Sequence, residues 1–74
     1  MKVYLFGMLA DQAAQSALEV GAPDTDTLIK ALKQTFPFFE TLPFSVAVNR
    51  KIVTANTSLT DTDEVALMPP FAGG

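Results

Sequence analysis

The feature that most constrains this chain is that its 74 residues must fold without a single cysteine or histidine. A chain of this length has room for one small domain, and it buries only about 60% of the surface that its unfolded form exposes. Without cysteine there are no disulfides, thiolate metal sites or cysteine nucleophiles, and without histidine the usual general base is missing. We therefore expect a domain held together by its apolar core, with no metal site and little side-chain catalysis of its own.

The charge of the chain argues against nucleic acid as a partner. Its formal net charge is −3, and its five basic residues are too scattered to neutralise a run of phosphates: Lys2, Lys30, Lys33, Arg50 and Lys51. A basic protein surface would suit this chain better. No apolar run approaches the roughly 18 residues of a membrane-spanning helix, so we expect a cytoplasmic protein that does not bind membranes.

The first third of the chain predicts two strands. Residues 3–8 form a short run rich in β-formers, which ends at the break Ala10-Asp11-Gln12. Residues 17–20 precede a Gly-Ala-Pro sequence and are interpreted as a second strand, paired with the first as a hairpin. Residues 13–15 form either the loop of this hairpin or a helical turn.

One main helix is predicted in the middle of the chain. Asp24 is a suitable N-cap, and apolar residues then recur at helical spacing: Leu28, Ala31, Leu32 and Phe36. Pro37 ends the helix. Beyond it, alternation and turn residues predict strands at residues 45–49 and 65–68, with a short extra strand at 52–53. The order β-β-α-β-β predicts an α+β domain.

The alternation along the strands predicts which side chains face the helix. The helix-facing set is Val3, Leu5, Val46, Val48, Val65 and Leu67. The opposite sheet face then carries Tyr4, Phe6, Met8, Ala47, Ala66 and Met68. An exposed apolar face on a small domain commonly marks a protein-binding site. We therefore take these six residues as the candidate partner interface. Two alternatives remain open: residues 37–43 fold over this face, or the register is inverted.

The C-terminal motif carries the functional hypothesis. The last predicted strand is followed by Pro69-Pro70-Phe71-Ala72-Gly73-Gly74, and a Leu-x-x-x-Asp-Glu-Val sequence at 59–65 and a Val-Ala-Val-Asn sequence at 46–49 lie upstream. With these motifs the chain resembles the MoaD/ThiS family of ubiquitin-like sulfur carriers over essentially its whole length. The resemblance implies a ubiquitin-like β-grasp domain at residues 1–68, in which a mixed sheet of four to five strands packs on one main helix, and an extended tail at residues 69–74.

The resemblance also implies a reaction at the C-terminal carboxylate of Gly74. An ATP-dependent adenylating enzyme of the ubiquitin-activating type (MoeB-like) would activate this carboxylate, and sulfur transfer would convert it to a thiocarboxylate. The large subunit of molybdopterin synthase (MoaE-like) would use that sulfur to build the dithiolene of molybdopterin. The chain itself would bind no cofactor, because ATP is used by the activating enzyme and the catalytic groups are expected on the large subunit.

The residue types of the tail suit insertion into a partner. The two prolines favour a stiff, extended chain, and six residues from the first proline onward span roughly 20 Å. The two glycines lack Cβ atoms and fit a channel too narrow for side chains. The prolines also act as a strand stop, which is compatible with this role. The residues expected to thread the channel behind Gly74 are Pro69, Pro70, Phe71, Ala72 and Gly73.

Two alternatives share the same tail. A carrier for the thiazole of thiamin, or for another thio-cofactor, would differ only in its sulfur acceptor, whereas a ubiquitin-like tagging or binding module would transfer no sulfur. The Pro-Pro sequence and the aromatic first strand Tyr4-Leu5-Phe6 resemble the molybdopterin branch more than the thiamin branch. Two positions depart from the family. Thr62 replaces the usual glycine of the acidic turn, so a different turn geometry is expected, and no basic residue follows the first strand.

Overall fold

This computed structural model describes residues 1–70 of the chain, which contain eight helices and strands. In chain order they are β1 (Lys2–Leu5), α1 (Met8–Ala13), β2 (Ala17–Glu19), α2 (Thr25–Thr35), a 3-10 helix (Pro37–Glu40), β3 (Ser45–Val48), β4 (Lys51–Val53) and β5 (Glu64–Met68). The strands form one sheet in the order β2-β1-β5-β3-β4. The pair β1 and β5 is parallel, and the other neighbouring pairs are antiparallel. A mixed sheet with one main helix confirms the predicted α+β architecture.

The main helix, α2, forms where it is predicted because local chemistry fixes both of its ends. Asp24 Oδ1 accepts a hydrogen bond from the backbone N–H of Thr27 at 2.8 Å, which is the geometry of an N-cap. One face of the helix buries Leu28 and Leu32 in the core. The helix ends shortly before Pro37, where the 3-10 helix begins.

The first strand is shorter than predicted. β1 ends at Leu5, and the prediction that it continues to Met8 was wrong, because Met8 begins α1. Gly7 turns the chain out of the sheet with a φ of 58°, a value that residues with side chains disfavour. Leu9 and Ala13, one helical turn apart, are buried and hold α1 against the core. The helical alternative for this connection was nearer the structure, although the helix lies earlier in the chain than expected.

The core lies between α2 and the inner face of the sheet. All the side chains predicted to face the helix are buried in one cluster, namely Val3, Leu5, Val46, Val48, Val65 and Leu67. Phe39 of the 3-10 helix is buried in the same cluster, so this segment packs with the core rather than over the opposite face. The predicted register is therefore correct and is not inverted. The alternative in which residues 37–43 fold over the opposite face is wrong as well.

A two-residue turn connects β3 and β4. Its residues, Asn49 and Arg50, have φ values of 50° and 71°, the combination that a type I′ hairpin requires. The turn brings Ala47 of β3 opposite Ile52 of β4. Thr62 is not among the residues of the described chain that have positive φ, in agreement with its β-branched side chain.

Candidate functional site

The chain leaves the sheet through its central strand. β5 pairs with β1 on one side and β3 on the other, and it ends at Met68. Because β1 and β5 are parallel, their C-terminal ends lie at the same end of the sheet. There the backbone N–H of Phe6 donates to the carbonyl of Leu67 at 3.1 Å. Pro69 and Pro70 follow directly, so the predicted tail starts at the middle of the domain, beside the turn between β1 and α1.

The base of the tail lies against the domain. Pro69 is half-buried and Pro70 is exposed. The ring of Pro69 approaches Gly7 so closely that a Cβ built on that glycine would lie 3.0 Å from Pro69 Cγ. The roles predicted for the other tail residues stay predictions, since these lie outside the described residues: Phe71, Ala72, Gly73 and Gly74.

The outer sheet face, on the side away from α2, presents an apolar row. The strand register aligns five side chains across the sheet in the order Ala17, Tyr4, Ala66, Ala47 and Ile52. Met68 lies on the same face of β5, one step nearer the tail, and Phe6 continues the alternation of β1. We call these seven residues the outer patch. Small alanines lie at its centre and larger side chains lie around them, so the patch has a shallow floor.

Most of the predicted interface residues lie in the outer patch, namely Tyr4, Phe6, Ala47, Ala66 and Met68. Met8 does not, because it belongs to α1, where strand alternation no longer sets the direction of its side chain. Its side chain is nevertheless 51% exposed, like that of Phe6 at 50%. Ala47 is only 5% exposed and adds little accessible area. The part that these residues play in partner binding stays a prediction.

Sequence reasoning missed Ile52 and Ala17. Ile52 is 56% exposed, the largest exposure among the big apolar side chains of the described chain. The Asn49-Arg50 turn was the available signal for Ile52, because a two-residue hairpin loop pairs residues 48 and 51 and hence 47 and 52. Ala17 has no such local signal, since its pairing with β1 depends on how α1 fills the connection between the two strands.

Two carboxylates of the described chain have lowered pKa values, and both are engaged in holding the structure. Hydrogen bonds from the Asn49 side chain, and then from the backbone N–H of Thr60, lower the pKa of Asp63 below its ordinary value of 3.8. Hydrogen bonds from the side chain and the backbone of Thr27 lower the pKa of Asp24. Because these groups are ionised at neutral pH, neither is poised as a general acid, and the lowered pKa makes each a weaker base than an ordinary carboxylate.

Residues 1–70 contain no metal-binding cluster and two open depressions. No group of three or more Asp, Glu, Cys or His in this region could hold a metal ion. One open depression of about 340 Å³ lies beside the start of α2, and another of about 520 Å³ lies between β2 and α2. Each is lined by one carboxylate, Asp26 or Glu19, and by no basic side chain. Among the helices of this region, none has the length and apolarity that spanning a bilayer requires.

Comparison with known proteins identifies the family. The family model named ThiS matches residues 3–74, which is nearly the entire chain. The chain belongs to the ThiS family. This membership confirms the resemblance to ubiquitin-like sulfur carriers that was predicted from the C-terminal motif. A search of curated proteins found no match.

Solved structures confirm the β-grasp fold of this ThiS-family protein. Small archaeal modifier protein 1 from Methanosarcina acetivorans matches with a TM-score of 0.85 and 22% identity, over 99% of this chain and 94% of that one. The protein of the same name from Haloferax volcanii matches with a TM-score of 0.80 and 25% identity, over 100% and 98%. A chain from the complex of subunits 1 and 2 of molybdopterin-converting factor from Helicobacter pylori matches with a TM-score of 0.74 and 28% identity, over 99% and 96%.

Proposed function

We propose that this ThiS-family protein is the sulfur carrier subunit of molybdopterin synthase, with the carboxylate of Gly74 as its reactive group. The observation that carries the proposal is the position of Pro69, because the chain leaves the central strand next to the apolar outer patch. One partner can therefore hold the patch and receive the residues that follow. The 28% identity to a chain of the molybdopterin-converting factor complex supports this assignment.

The proposed reaction uses the Gly74 carboxylate in two steps. First, a carboxylate oxygen attacks the α-phosphorus of ATP on an activating enzyme of the ubiquitin-activating type (MoeB-like), which forms an acyl-adenylate and releases pyrophosphate. A hydrosulfide anion then attacks the acyl carbon, the bond to the phosphate breaks and AMP leaves, which yields the thiocarboxylate. The large subunit (MoaE-like) transfers this sulfur to the pterin precursor, and water restores the carboxylate for the next cycle.

In this proposal the domain contributes binding rather than chemistry. The outer patch offers exposed apolar area at Phe6 and Ile52, and burial of such area stabilises a complex by about 25 cal/mol per Å² before the costs of association. The net charge of −3 favours encounter with a basic surface on the partner. The catalytic groups are assigned to the large subunit, and the reaction is assigned to the cytoplasm, where ATP is available.

A second candidate function is favoured by the similarity to two small archaeal modifier proteins. A tagging module would join the Gly74 carbonyl to a lysine amine of a target protein in place of sulfur. A carrier for the thiazole of thiamin would form the same thiocarboxylate but would serve a different acceptor. The two carriers therefore differ in the acceptor of the sulfur, and the tagging module differs from both in the bond that the Gly74 carbonyl forms.

Intact-mass measurement tests the proposal. The protein is incubated with ATP, a sulfur donor and an activating enzyme, and a variant that lacks Gly74 serves as the matched control. We expect one oxygen to be replaced by sulfur in the natural chain only. Addition of the large subunit and the pterin precursor should then remove the sulfur and produce the dithiolene. An unchanged mass, or an equal change in the variant, contradicts the carrier function.

The same assay separates the alternatives. A mass increase equal to that of a second protein less one water, stable to thiols, indicates a tagging module. Sulfur that is lost to a thiazole synthase, but not to the large subunit, indicates a carrier for thiamin synthesis.

A further inference from the structure

Gly7 has two properties that the proposed reaction leaves unexplained. Its φ of 58° and ψ of −136° form a combination that residues with a Cβ rarely adopt. A Cβ on this residue would also lie 3.0 Å from Pro69 Cγ and 3.4 Å from Pro69 Cδ, whereas carbon atoms in favourable contact are about 3.5–4.0 Å apart. A glycine at position 7 thus permits both the turn out of β1 and the close approach of the proline ring.

This contact lies at the base of the tail, next to a second fixed point. The hydrogen bond from Phe6 N–H to the Leu67 carbonyl, 3.1 Å long, joins β1 to β5 just before Pro69. The ring of Pro69 fixes its own φ near −65° and then rests on Gly7. With one contact alone the chain could still rotate about that point. Two contacts at successive positions define the direction in which the chain continues.

We infer that Gly7 is a positioning residue for the C-terminal tail, an inference that rests on the proposed carrier function. Pro69, seated on Gly7, aims the residues that follow at the partner's active site. Five further residues in extended form reach about 17 Å, so a change of about 20° in direction at Pro69 displaces Gly74 by about 6 Å. Misplacement of a reacting group by about 1 Å can slow a reaction by about 10²-fold. The direction set at the base therefore controls transfer at the tip.

A double-mutant cycle tests this inference through Gly7→Ala, Pro69→Ala and the combination of the two. Gly21→Ala is the matched control, because a Cβ at Gly21 meets nothing within 4 Å. Each protein is loaded with sulfur, and single-turnover transfer to the large subunit is measured at a temperature where circular dichroism shows it folded. We expect Gly7→Ala to slow transfer by at least about tenfold without changing the Kd for the large subunit, and Gly21→Ala to leave both unchanged.

The double variant decides whether Gly7 acts through Pro69. With alanine at position 69 there is no ring to seat, so we expect the double variant to be no slower than the slower single variant. Effects that multiply in the double variant, or normal transfer by Gly7→Ala, overturn the inference. If Gly7→Ala does not fold, Pro69→Ala still provides a test, because position 69 lies beyond the end of β5. Normal transfer by Pro69→Ala then overturns the inference.

A second readout is independent of sulfur transfer. The chain contains no cysteine, so Ala72→Cys provides a single attachment point for a spin label, and paramagnetic broadening of the domain's amide signals reports the direction of the tail. In this background, Gly7→Ala and Pro69→Ala should change the pattern of broadening, and Gly21→Ala should not. An unchanged pattern in the first two overturns the inference. A changed pattern in a protein that never forms a thiocarboxylate contradicts the carrier function alone.

Discussion

The side-chain amide of Asn49 donates a hydrogen bond to Asp63 Oδ1 at 2.9 Å. The side-chain oxygen of Asn49 accepts from the backbone N–H of Glu64 at 3.0 Å, and its backbone N–H donates to the Glu64 carbonyl at 2.7 Å. These bonds join the turn between β3 and β4 to the start of β5. The turn thus supports the strand that leads to the tail, from the opposite end of that strand.

We expect acid to weaken this junction. The bond from Asn49 is the main reason that the pKa of Asp63 is lowered in the folded protein, so the ionised form favours folding. This contribution is fully present above the unfolded pKa, near 3.8, and is lost as the pH falls through the lower folded value. Asp63→Asn should be less stable than the natural chain at pH 7, and the difference should shrink below pH 3.8. Denaturant unfolding over a pH series measures this, with Asp61→Asn in the same loop as control, and a difference that does not vary with pH would contradict it.

The hydroxyl of Thr25 should contribute measurably to stability. Thr25 is 3% exposed, and its hydroxyl donates to Asn56 Oδ1 at 3.3 Å and accepts from the backbone N–H of Thr57 at 3.0 Å. Thr25→Val keeps the shape of the side chain but leaves that N–H without its partner, so the free energy of unfolding should fall by about 1–3 kcal/mol. Thr54→Val, at an exposed position just after β4, is the control for denaturant unfolding. Equal effects of the two variants would show that the buried hydroxyl contributes nothing.

Ile52→Asp should separate binding from stability. Because Ile52 is 56% exposed, its replacement should change the free energy of unfolding by no more than about 0.5 kcal/mol. Binding to the large subunit should weaken by about tenfold or more, since the new carboxylate would be buried without a partner. Calorimetric titration measures the Kd, and Phe6→Asp should behave in the same way. Gln34→Asp, on the exposed side of α2, should bind normally, and unchanged Kd values for all three would show that the outer patch is not the interface.

Gly73→Ala should fold normally and transfer sulfur poorly. Position 73 is five residues beyond the end of β5 in the sequence, and the added methyl group would obstruct a channel shaped for bare backbone. Thermal unfolding checks the fold, and single-turnover transfer checks the reaction. Turnover equal to that of the natural chain would mean that the channel accommodates a side chain at this position.

The sequence predicts those helices and strands that are determined by residues close together in the chain. Periodicity and an N-cap identify α2, and alternation identifies the buried faces of the strands. The helix α1 was missed because it has only six residues, so its stability comes from packing of Leu9 and Ala13 rather than from propensity. Asp11 and Gln12 within it were interpreted as a polar break after the first strand. The four-residue spacing of the two buried side chains was the available signal.

The candidate site was likewise predictable from the sequence only in part. The C-terminal motif is sufficient to predict the family, and strand alternation predicts most of the outer patch. The contact between Gly7 and Pro69 has no local signal, because it depends on parallel pairing of β1 with β5 across almost the whole chain. Sequence patterns indicate which face of a strand is apolar, but which strand lies beside which depends on the packing of the complete domain.

The central place of β5 has a mechanical consequence. A pull on the end of an edge strand separates its hydrogen bonds one after another, whereas β5 is bonded on both sides and must slide past β1 and β3 together. Force applied through the tail is therefore shared between two ladders. We therefore expect the domain to stay folded under a load on the residues after β5 that would unravel an edge strand.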